Sequence, residues 1–314
     1  MELDFASWTR QIKEFPTRYP KARRLLLPVG GVLAFLLFLL FTFPYDELAR
    51  RIEIEAQRAG AEVIIGSAGA GGFASVRMRD VRVRLTSPPG APAWPELRFE
   101  RAKVSPDLFA LLFRRTSFGF SLDGYGGSAS GHVALSSDPR TPGVSSFRLD
   151  ASDLDLATFP LREMTGVGGA GKLRVKADLP ALLPVETARG SLTVALEGGA
   201  LTGGTVMGFA LPRTTLGRFD GSLALEKGIA RIDKTTARGG DIEIDVDGNI
   251  NLRPMLSLSQ ADLHVRFRPS DRWLNENAML KGMLGLIQNA RQGDGSYLYT
   301  FTGPLSRMTP RPGR

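Results

Sequence analysis

The decapeptide VRMRDVRVRL at residues 76–85 decides the fold class. Apolar and charged side chains alternate along it, apart from a one-residue slip at Asp80. A period of two places the apolar side chains on one face of a strand and the arginines on the other. The segment therefore predicts a β-strand with one solvated face and a bulge at Asp80.

Shorter strings with the same alternation recur along the rest of the chain. Clusters of glycine, aspartate and proline separate them, and 36 of the 314 residues are glycine, which suits a fold with many turns. Asp247-Gly248 predicts one such tight turn. Short strands divided in this way are typical of an antiparallel meander. The strings lie at 118–122, 132–135, 173–177, 192–196, 223–225, 229–232, 242–246, 250–252 and 263–267.

Three segments of this β-rich chain predict helices. Residues 45–59 combine an apolar side with an acidic first turn and end before Gly60, which fits either a stalk at a membrane surface or an amphipathic helix covering one end of a sheet. Ser105 and the proline after it predict a short helix over 105–113, with Ser105 as the N-cap. A longer helix is expected from residue 270 to about residue 290.

An uncharged run, LLLPVGGVLAFLLFLLFTFP, occupies residues 25–44. At 1.5 Å per residue it is long enough to cross a hydrocarbon core of about 30 Å. The apolar region of a secretory signal would cover only about 7–15 residues and would end at a small-residue cleavage site, so we favour an uncleaved membrane anchor. The large apolar residues of this anchor include Leu25, Leu33, Phe35, Leu36, Phe38, Leu40, Phe41 and Phe43.

The charges that flank the run predict its orientation. Lys21, Arg23 and Arg24 precede it, whereas Asp46 and Glu47 follow it. The positive-inside bias places the N-terminus in the cytoplasm and the rest of the chain on the far side, which is the periplasm in a Gram-negative bacterium. The predicted organisation is a basic cytoplasmic N-terminus (1–24), a transmembrane anchor (25–44), a juxtamembrane helix (45–60), a periplasmic antiparallel β domain (61–305) and a basic, proline-rich tail (306–314).

Composition excludes several classes of chemistry. The chain has no cysteine and two histidines, which removes thiolate metal sites, disulfides and cysteine nucleophiles. His132 and His264 lie in predicted strands without an acidic or nucleophilic partner at a recognisable spacing. We therefore expect no catalytic residue, no cofactor, no metal and no enzymatic activity. After the first 24 residues, 34 cations and 29 anions leave a net charge of +5 that is distributed along the chain, apart from Arg77, Arg79, Arg82 and Arg84. This disfavours nucleic acid as a partner outside the membrane but leaves anionic lipid headgroups or acidic proteins possible.

Two glycine-rich motifs imitate nucleotide-binding loops. Residues 166–172 match G-x-x-x-x-G-K, but Leu173 and a strand pattern follow where a phosphate loop needs Ser or Thr and a helix. Residues 69–74 fit G-x-G-x-x-A, but an arginine-rich strand follows instead of a helix. We interpret both motifs as glycine turns.

Four carboxylates alternate along residues 241–247. A calcium loop that starts at Asp245 would need glycine at its sixth position and glutamate at its twelfth, where the sequence has Ile250 and Leu256. The pattern instead predicts the solvated face of a strand, formed by Asp241, Glu243, Asp245 and Asp247.

Together these features resemble the type II secretion system protein N (GspN) family. The resemblance covers nearly the whole chain: the basic N-terminus, the anchor that ends Phe43-Pro44-Tyr45, the juxtamembrane helix, the strand at 76–85, the helix after Ser105-Pro106 and the meander that closes with Tyr297, Tyr299 and Phe301. It implies a single-pass protein of the bacterial inner membrane with a β-rich periplasmic domain, acting as an accessory component beside other type II secretion subunits.

The same pattern is similar to AsmA-like proteins, which implies a curled, half-barrel sheet and a role in handling phospholipid. Period-two patterning is compatible with both functions. If the apolar faces close on each other, they form a core and the protein is a scaffold; if the sheet curls without closing, its apolar face can shield acyl chains. From the sequence we rank the secretion accessory role first and lipid handling second.

Overall fold

The computed structural model describes residues 45–58, 61–72, 75–85, 95–107, 109–110, 113, 115–138, 143–206, 209–255 and 258–313. The chain divides into two compact units, residues 1–48 and 49–314. The second unit contains the whole of the β-sheet.

The described chain is mainly β, as the alternating strings predict. Every strand pairs antiparallel with its neighbour in sequence, except that β9 pairs only with β8 and β10 also pairs with β8. The strands are β1 (Ala61–Ala70), β2 (Val76–Leu85), β3 (Leu97–Pro106), β4 (Ser117–Gly124), β5 (Gly127–Leu135), β6 (Val144–Asp155), β7 (Val167–Ala181), β8 (Arg189–Val206), β9 (Phe209–Leu211), β10 (Thr214–Glu226), β11 (Ile229–Arg238), β12 (Ile242–Asn251), β13 (Gln260–Pro269), β14 (Tyr297–Pro304) and β15 (Thr309–Pro312).

The result is one sheet that does not close on itself. Among the described strands, β1 pairs only with β2 and β15 only with β14, so the sheet keeps two edges. Both edges carry features that hinder the addition of another strand. The Glu53 carboxylate accepts a hydrogen bond of 2.9 Å from the Ile65 N–H in β1. In β15, Pro310 and Pro312 have no N–H to donate.

Asp80 interrupts the alternation of β2, as the sequence predicts, but the predicted bulge is wrong. Its φ is +50°, and it falls opposite Gly66 between the β1–β2 pairs Ile65–Val81 and Ser67–Arg79, so the register is the same on both sides of it. The interruption keeps the apolar side chains of β2 on a single face, because Met78 and Val81 are both buried. The arginines of β2 remain on the opposite face.

Two hairpins turn through residue pairs with positive φ. Tyr125 and Gly126 have φ values of +55° and +71°, and Lys227 and Gly228 have +49° and +74°. These angles are those of type I′ turns, whose twist matches the twist of the flanking strands. In these two hairpins the sequence marks the turn only by a glycine at the second central position.

Four α-helices have both ends within the described residues, and residues 109–110, inside the helix predicted over 105–113, are also helical. The four helices are α1 (Tyr45–Arg58), α2 (Leu161–Thr165), α3 (Asp271–Glu276) and α4 (Ala278–Leu286). The helix predicted over residues 45–59 is confirmed as α1, and its place beside a membrane stays a prediction. The single helix expected from residue 270 is wrong in one respect: Asn277, with φ −129° and ψ 70°, interrupts it. Ser270 is the N-cap of α3, since its hydroxyl accepts a hydrogen bond from the Trp273 N–H.

Three other expectations from the sequence are corrected. The turn predicted at Asp247-Gly248 is wrong, because β12 runs without a break through both residues. Ser105 is not an N-cap, because β3 continues through Pro106 and the Asp107 carboxylate accepts the hydrogen bond from the Ala110 N–H. The final strand is also not β14, because part of the predicted tail pairs with it as β15.

Candidate functional site

The most extended feature of the sheet is an unbroken row of apolar residues across it. Each member is paired in register with the next, from β1 to β15. At a strand spacing of about 4.8 Å, the row is roughly 60 Å long. We call it the apolar ladder: Ala70, Val76, Val104, Phe120, Gly131, Leu149, Ala177, Leu192, Leu223, Ile232, Gly248, Leu263, Phe301 and Pro310.

A second apolar row lies beside the ladder on the same face. It runs in register from Met78 in β2 to Val194 in β8, through alanine, leucine and valine residues. Aromatic rings add to this face: Phe120 stacks on Phe147 with the ring centroids 6.3 Å apart. The face is therefore wide enough to contact a chain-like apolar ligand along its length.

No second sheet covers this apolar face in the part of the chain that the structure describes. In a two-layer β-sandwich, large inward side chains are sealed from solvent. Here Ala177 is the one ladder residue that is buried. Among the described residues the largest fully buried side chains are Thr214, Ser259 and Ser296, and none of these is apolar. Ten of the sixteen buried apolar residues in the described chain are alanines, so the sheet encloses few large apolar side chains.

The opposite face is polar and carries ion pairs between neighbouring strands. Arg148 and Asp178 are 3.3 Å apart, and Lys176 and Asp150 are 3.1 Å apart. These side chains are more than half exposed, so each pair contributes little to the free energy of unfolding. Their effect is to keep the polar face solvated and thereby to specify which face is apolar.

The carboxylates on β12 lie on this polar face, as the sequence predicts, but Asp241 does not belong to the row. It precedes β12, and its carboxylate accepts hydrogen bonds from the Thr215 N–H at 2.7 Å and the Thr215 hydroxyl at 2.8 Å. Directly opposite in β13, Arg268 faces Glu243, Arg266 faces Asp245 and His264 faces Asp247. The three carboxylates of β12 thus have basic neighbours across the strands. In the part of the chain that the structure describes, no group of three or more acidic, histidine or cysteine side chains is placed to hold a metal ion.

His264 has the acidic partner that the sequence did not reveal. Its Nδ1 lies 3.0 Å from Oδ1 of Asp247 because the two residues are register partners across β12 and β13. A depression of about 450 Å³ lies beside them, lined also by Lys234 and Arg266. Among the described residues no hydroxyl or amine forms a hydrogen bond with the His264 ring, and the His132 ring in β5 has no hydrogen-bond partner. The absence of enzymatic activity stays a prediction.

The two glycine motifs are placed differently from each other. In the first, residues 167–172 belong to β7, so the predicted turn is wrong; only Gly166, with φ +78°, ends α2. In the second, Gly71 and Gly72 do turn between β1 and β2, and the Gly71 N–H donates to the Ser75 carbonyl at 2.8 Å.

The predicted anchor at 25–44 and the orientation determinants Lys21, Arg23 and Arg24 lie outside the described residues. Within the residues that are described, no helix combines the length and apolar character needed to cross a membrane.

Comparisons of the chain with protein-family models, with curated proteins and with solved structures find no match. The resemblance to the type II secretion system protein N family stays a prediction from the sequence pattern.

Proposed function

We propose that the protein binds phospholipid acyl chains along its apolar face, in the manner that the resemblance to AsmA-like proteins implies. The observation that supports this most directly is the apolar ladder, which crosses the whole sheet without a charged residue. An apolar surface of this extent is unusual on a protein that has no ligand for it. Covering it with acyl chains would remove apolar area from water at about 25 cal/mol per Å².

The partial exposure of the ladder favours one of the two functions that the sequence leaves open. A scaffold whose apolar faces form a core would bury its leucines and phenylalanines almost completely. A sheet that curls into a trough would leave them half exposed on the concave side, where a ligand can reach them. The described ladder residues fit the second case, and we therefore propose lipid handling before a purely structural role.

A matched pair of variants tests acyl-chain binding. Leu192 belongs to the apolar ladder, whereas the next residue in β8, Thr193, is on the polar face and exposed. We expect Leu192→Asp in the full chain to lower the phospholipid that co-purifies in mild detergent by more than about half, because a carboxylate in an acyl-chain site is costly. Phospholipid is quantified by mass spectrometry of the extracted protein.

Thr193→Asp is the control and should retain the lipid of the unaltered chain. Circular dichroism of both variants checks that the sheet has formed. If Leu192→Asp folds and keeps its lipid, a second substitution in the ladder, Leu149→Asp, is measured. Retention of lipid by both folded variants would contradict the proposal.

The accessory role in type II secretion stays a second proposal, supported by the resemblance and by the predicted anchor. An ion-paired polar face that remains solvated can contact other secretion subunits while the apolar face holds lipid. Normal export of secreted proteins after a clean deletion of the gene would count against this role, whatever the result of the lipid measurement.

A further inference from the structure

Large apolar side chains protrude where β3 joins β4 and where β5 joins β6. Phe109 and Phe113, between β3 and β4, are 80% and 73% exposed. Leu135 ends β5 and Val144 begins β6, and they are 41% and 37% exposed. Both connections lie at the same end of the sheet, because β3 and β5 run in the same direction. We call these four residues the apolar rim.

Cations without described carboxylate partners lie next to the apolar rim. Arg77 and Lys103 are directly opposite each other in β2 and β3, near the strand ends that face the rim. Arg115 is exposed just before β4. No described carboxylate forms an ion pair with any of the three, although Arg82, Arg84, Arg98 and Arg101 on the same face are paired. Like charges opposite each other in a sheet repel, so an anion placed over Arg77 and Lys103 would relieve that repulsion.

The helix α1 links the predicted anchor to the edge strand of the sheet. Two residues separate its last residue from β1, and the Glu53 carboxylate bonds to the Ile65 N–H, four residues into that strand. The chain between the apolar run at 25–44 and the sheet is therefore mainly this one helix of 14 residues. In the sequence, Ala49 follows the apolar run at 25–44 by five residues.

Other exposed apolar residues do not belong to the same surface. Met255 and Leu258 connect β12 to β13 at this end of the sheet and are 62% and 53% exposed. Eight strand spacings separate β4 from β13, which is roughly 40 Å. The twist that accumulates over those strands turns the distant connection away from the rim. One flat surface can therefore contact the rim without contacting Met255.

We propose that the apolar rim, with Arg77, Lys103 and Arg115, docks on the anionic bilayer that holds the predicted anchor. Aromatic side chains at a membrane interface and cations near anionic headgroups are the combination that such a surface binds. The proposal rests on the anchorage predicted for residues 25–44 and is separate from acyl-chain binding along the ladder. It assigns a specific end of the sheet to the membrane.

Fluorescence quenching in vesicles tests the docking. The chain has no cysteine, so single cysteines accept a fluorophore at one position only. We label Phe113→Cys and Leu135→Cys in the rim and, as controls, Met255→Cys and Leu286→Cys, a residue of α4 that is 84% exposed at the opposite end. The full chain is reconstituted in phosphatidylcholine vesicles with phosphatidylglycerol and a nitroxide lipid. We expect quenching at the rim to exceed that at the controls by about threefold or more.

The cations are tested in the same assay. Arg77→Gln with Lys103→Gln should reduce rim quenching about twofold in vesicles with phosphatidylglycerol and should leave it unchanged in phosphatidylcholine alone. Equal quenching in the altered and unaltered chains would overturn the role of these two cations. The docking would be overturned if the protein floats with the vesicles but the rim labels are quenched no more than the controls. A rim that binds a protein partner instead of the bilayer would give this outcome.

Two further readouts separate this proposal from the others. A label at Leu263→Cys reports lipid on the apolar ladder, so quenching at the rim without quenching at residue 263 supports docking and contradicts acyl-chain binding. Flotation reports anchorage, and a chain that does not float with the vesicles overturns the docking together with the anchor.

Discussion

Asp294 shows how a single side chain organises the longest described connection of the sheet, between β13 and β14. Its carboxylate accepts hydrogen bonds from the Ser296 hydroxyl at 2.6 Å and from the Ser296 N–H at 3.0 Å. Arg268, near the end of β13, donates to the same carboxylate at 2.7 Å. These interactions favour the charged form and lower the pKa of Asp294 from 3.8 to about 2, the Ser296 hydroxyl being the largest cause. The Asp294 carboxylate therefore links the start of β14 to the end of β13 only while it is ionised.

This depressed pKa predicts a pH dependence of stability. Since the folded-state pKa is below the unfolded value, the stabilisation is fully present above about pH 4 and is lost as the pH falls toward 2. We expect Asp294→Asn to lower the unfolding temperature at pH 7 and to have a much smaller effect near pH 2. Thermal unfolding followed by circular dichroism at several pH values measures both. The control is Asp262→Asn, which alters an exposed carboxylate of β13. A difference between Asp294→Asn and the unaltered chain that is constant from pH 7 to 2 would contradict the assignment.

At the scale of elements, alternation in the sequence predicts the strands but not the function of each glycine. Gly248 has φ +137°, and a Cβ there would overlap the Asp262 carbonyl oxygen of β13. Glycine is required at this position because the two strands approach closely. The local sequence Asp-Gly is nevertheless the same as that of a hairpin turn. The strand residues Gly168, Gly169 and Gly171 were misinterpreted for the same reason. The residue that requires glycine lies in the neighbouring strand, which is outside the short stretch of sequence that suggests a turn.

The apolar ladder could be predicted only in pieces. Each apolar string indicates one strand face, but continuity across the sheet depends on register, and one residue of slip would reverse a face. An irregularity at Asp153, which has a positive φ, shifts the register between β6 and β7, whereas Asp80 interrupts the alternation of β2 without a shift. Their positions become apparent when both partners of a pair are known. The contact between His264 and Asp247 could not be predicted for the same reason, because it depends on the register of β12 with β13.

The helix α1 protects the edge of the sheet through one hydrogen bond, and this predicts a local effect. Without the Glu53 carboxylate the Ile65 N–H is left on an open edge. A hydrogen bond to a charged group contributes about 1.5–3 kcal/mol, so Glu53→Ala should accelerate hydrogen exchange of the Ile65 amide about tenfold or more. Exchange is followed by mass spectrometry or NMR. The control is Glu62→Ala, which removes a carboxylate that pairs with Arg84 on the polar face. Equal exchange of the Ile65 amide in the two variants would show that α1 does not protect this edge.

At the scale of the sheet, stability is distributed along a single layer. Strands contact mainly their immediate neighbours, as repeats do in a solenoid, so local interactions dominate the free energy of each region. Two apolar clusters lie apart: one around Met78, Val81 and Ala102, and another around Ala188, Leu225 and Ala230. Seven strand spacings separate β2 from β10, which is roughly 35 Å. No enclosed layer of large side chains connects the clusters in the described part of the sheet.

This arrangement predicts that the two ends of the sheet open independently. Met78 and Leu225 are each 5% exposed, so Met78→Ala and Leu225→Ala are matched truncations that should each cost about 2–5 kcal/mol. We expect Met78→Ala to accelerate hydrogen exchange in β1 to β4 and to leave β12 to β14 unchanged. Leu225→Ala should accelerate exchange in β8 to β12 and spare β1 to β4. A closed two-layer core would unfold as one unit, so each truncation would accelerate exchange along the whole sheet. That result would contradict the independent opening of the two regions. It would also contradict the open apolar face on which lipid binding is proposed.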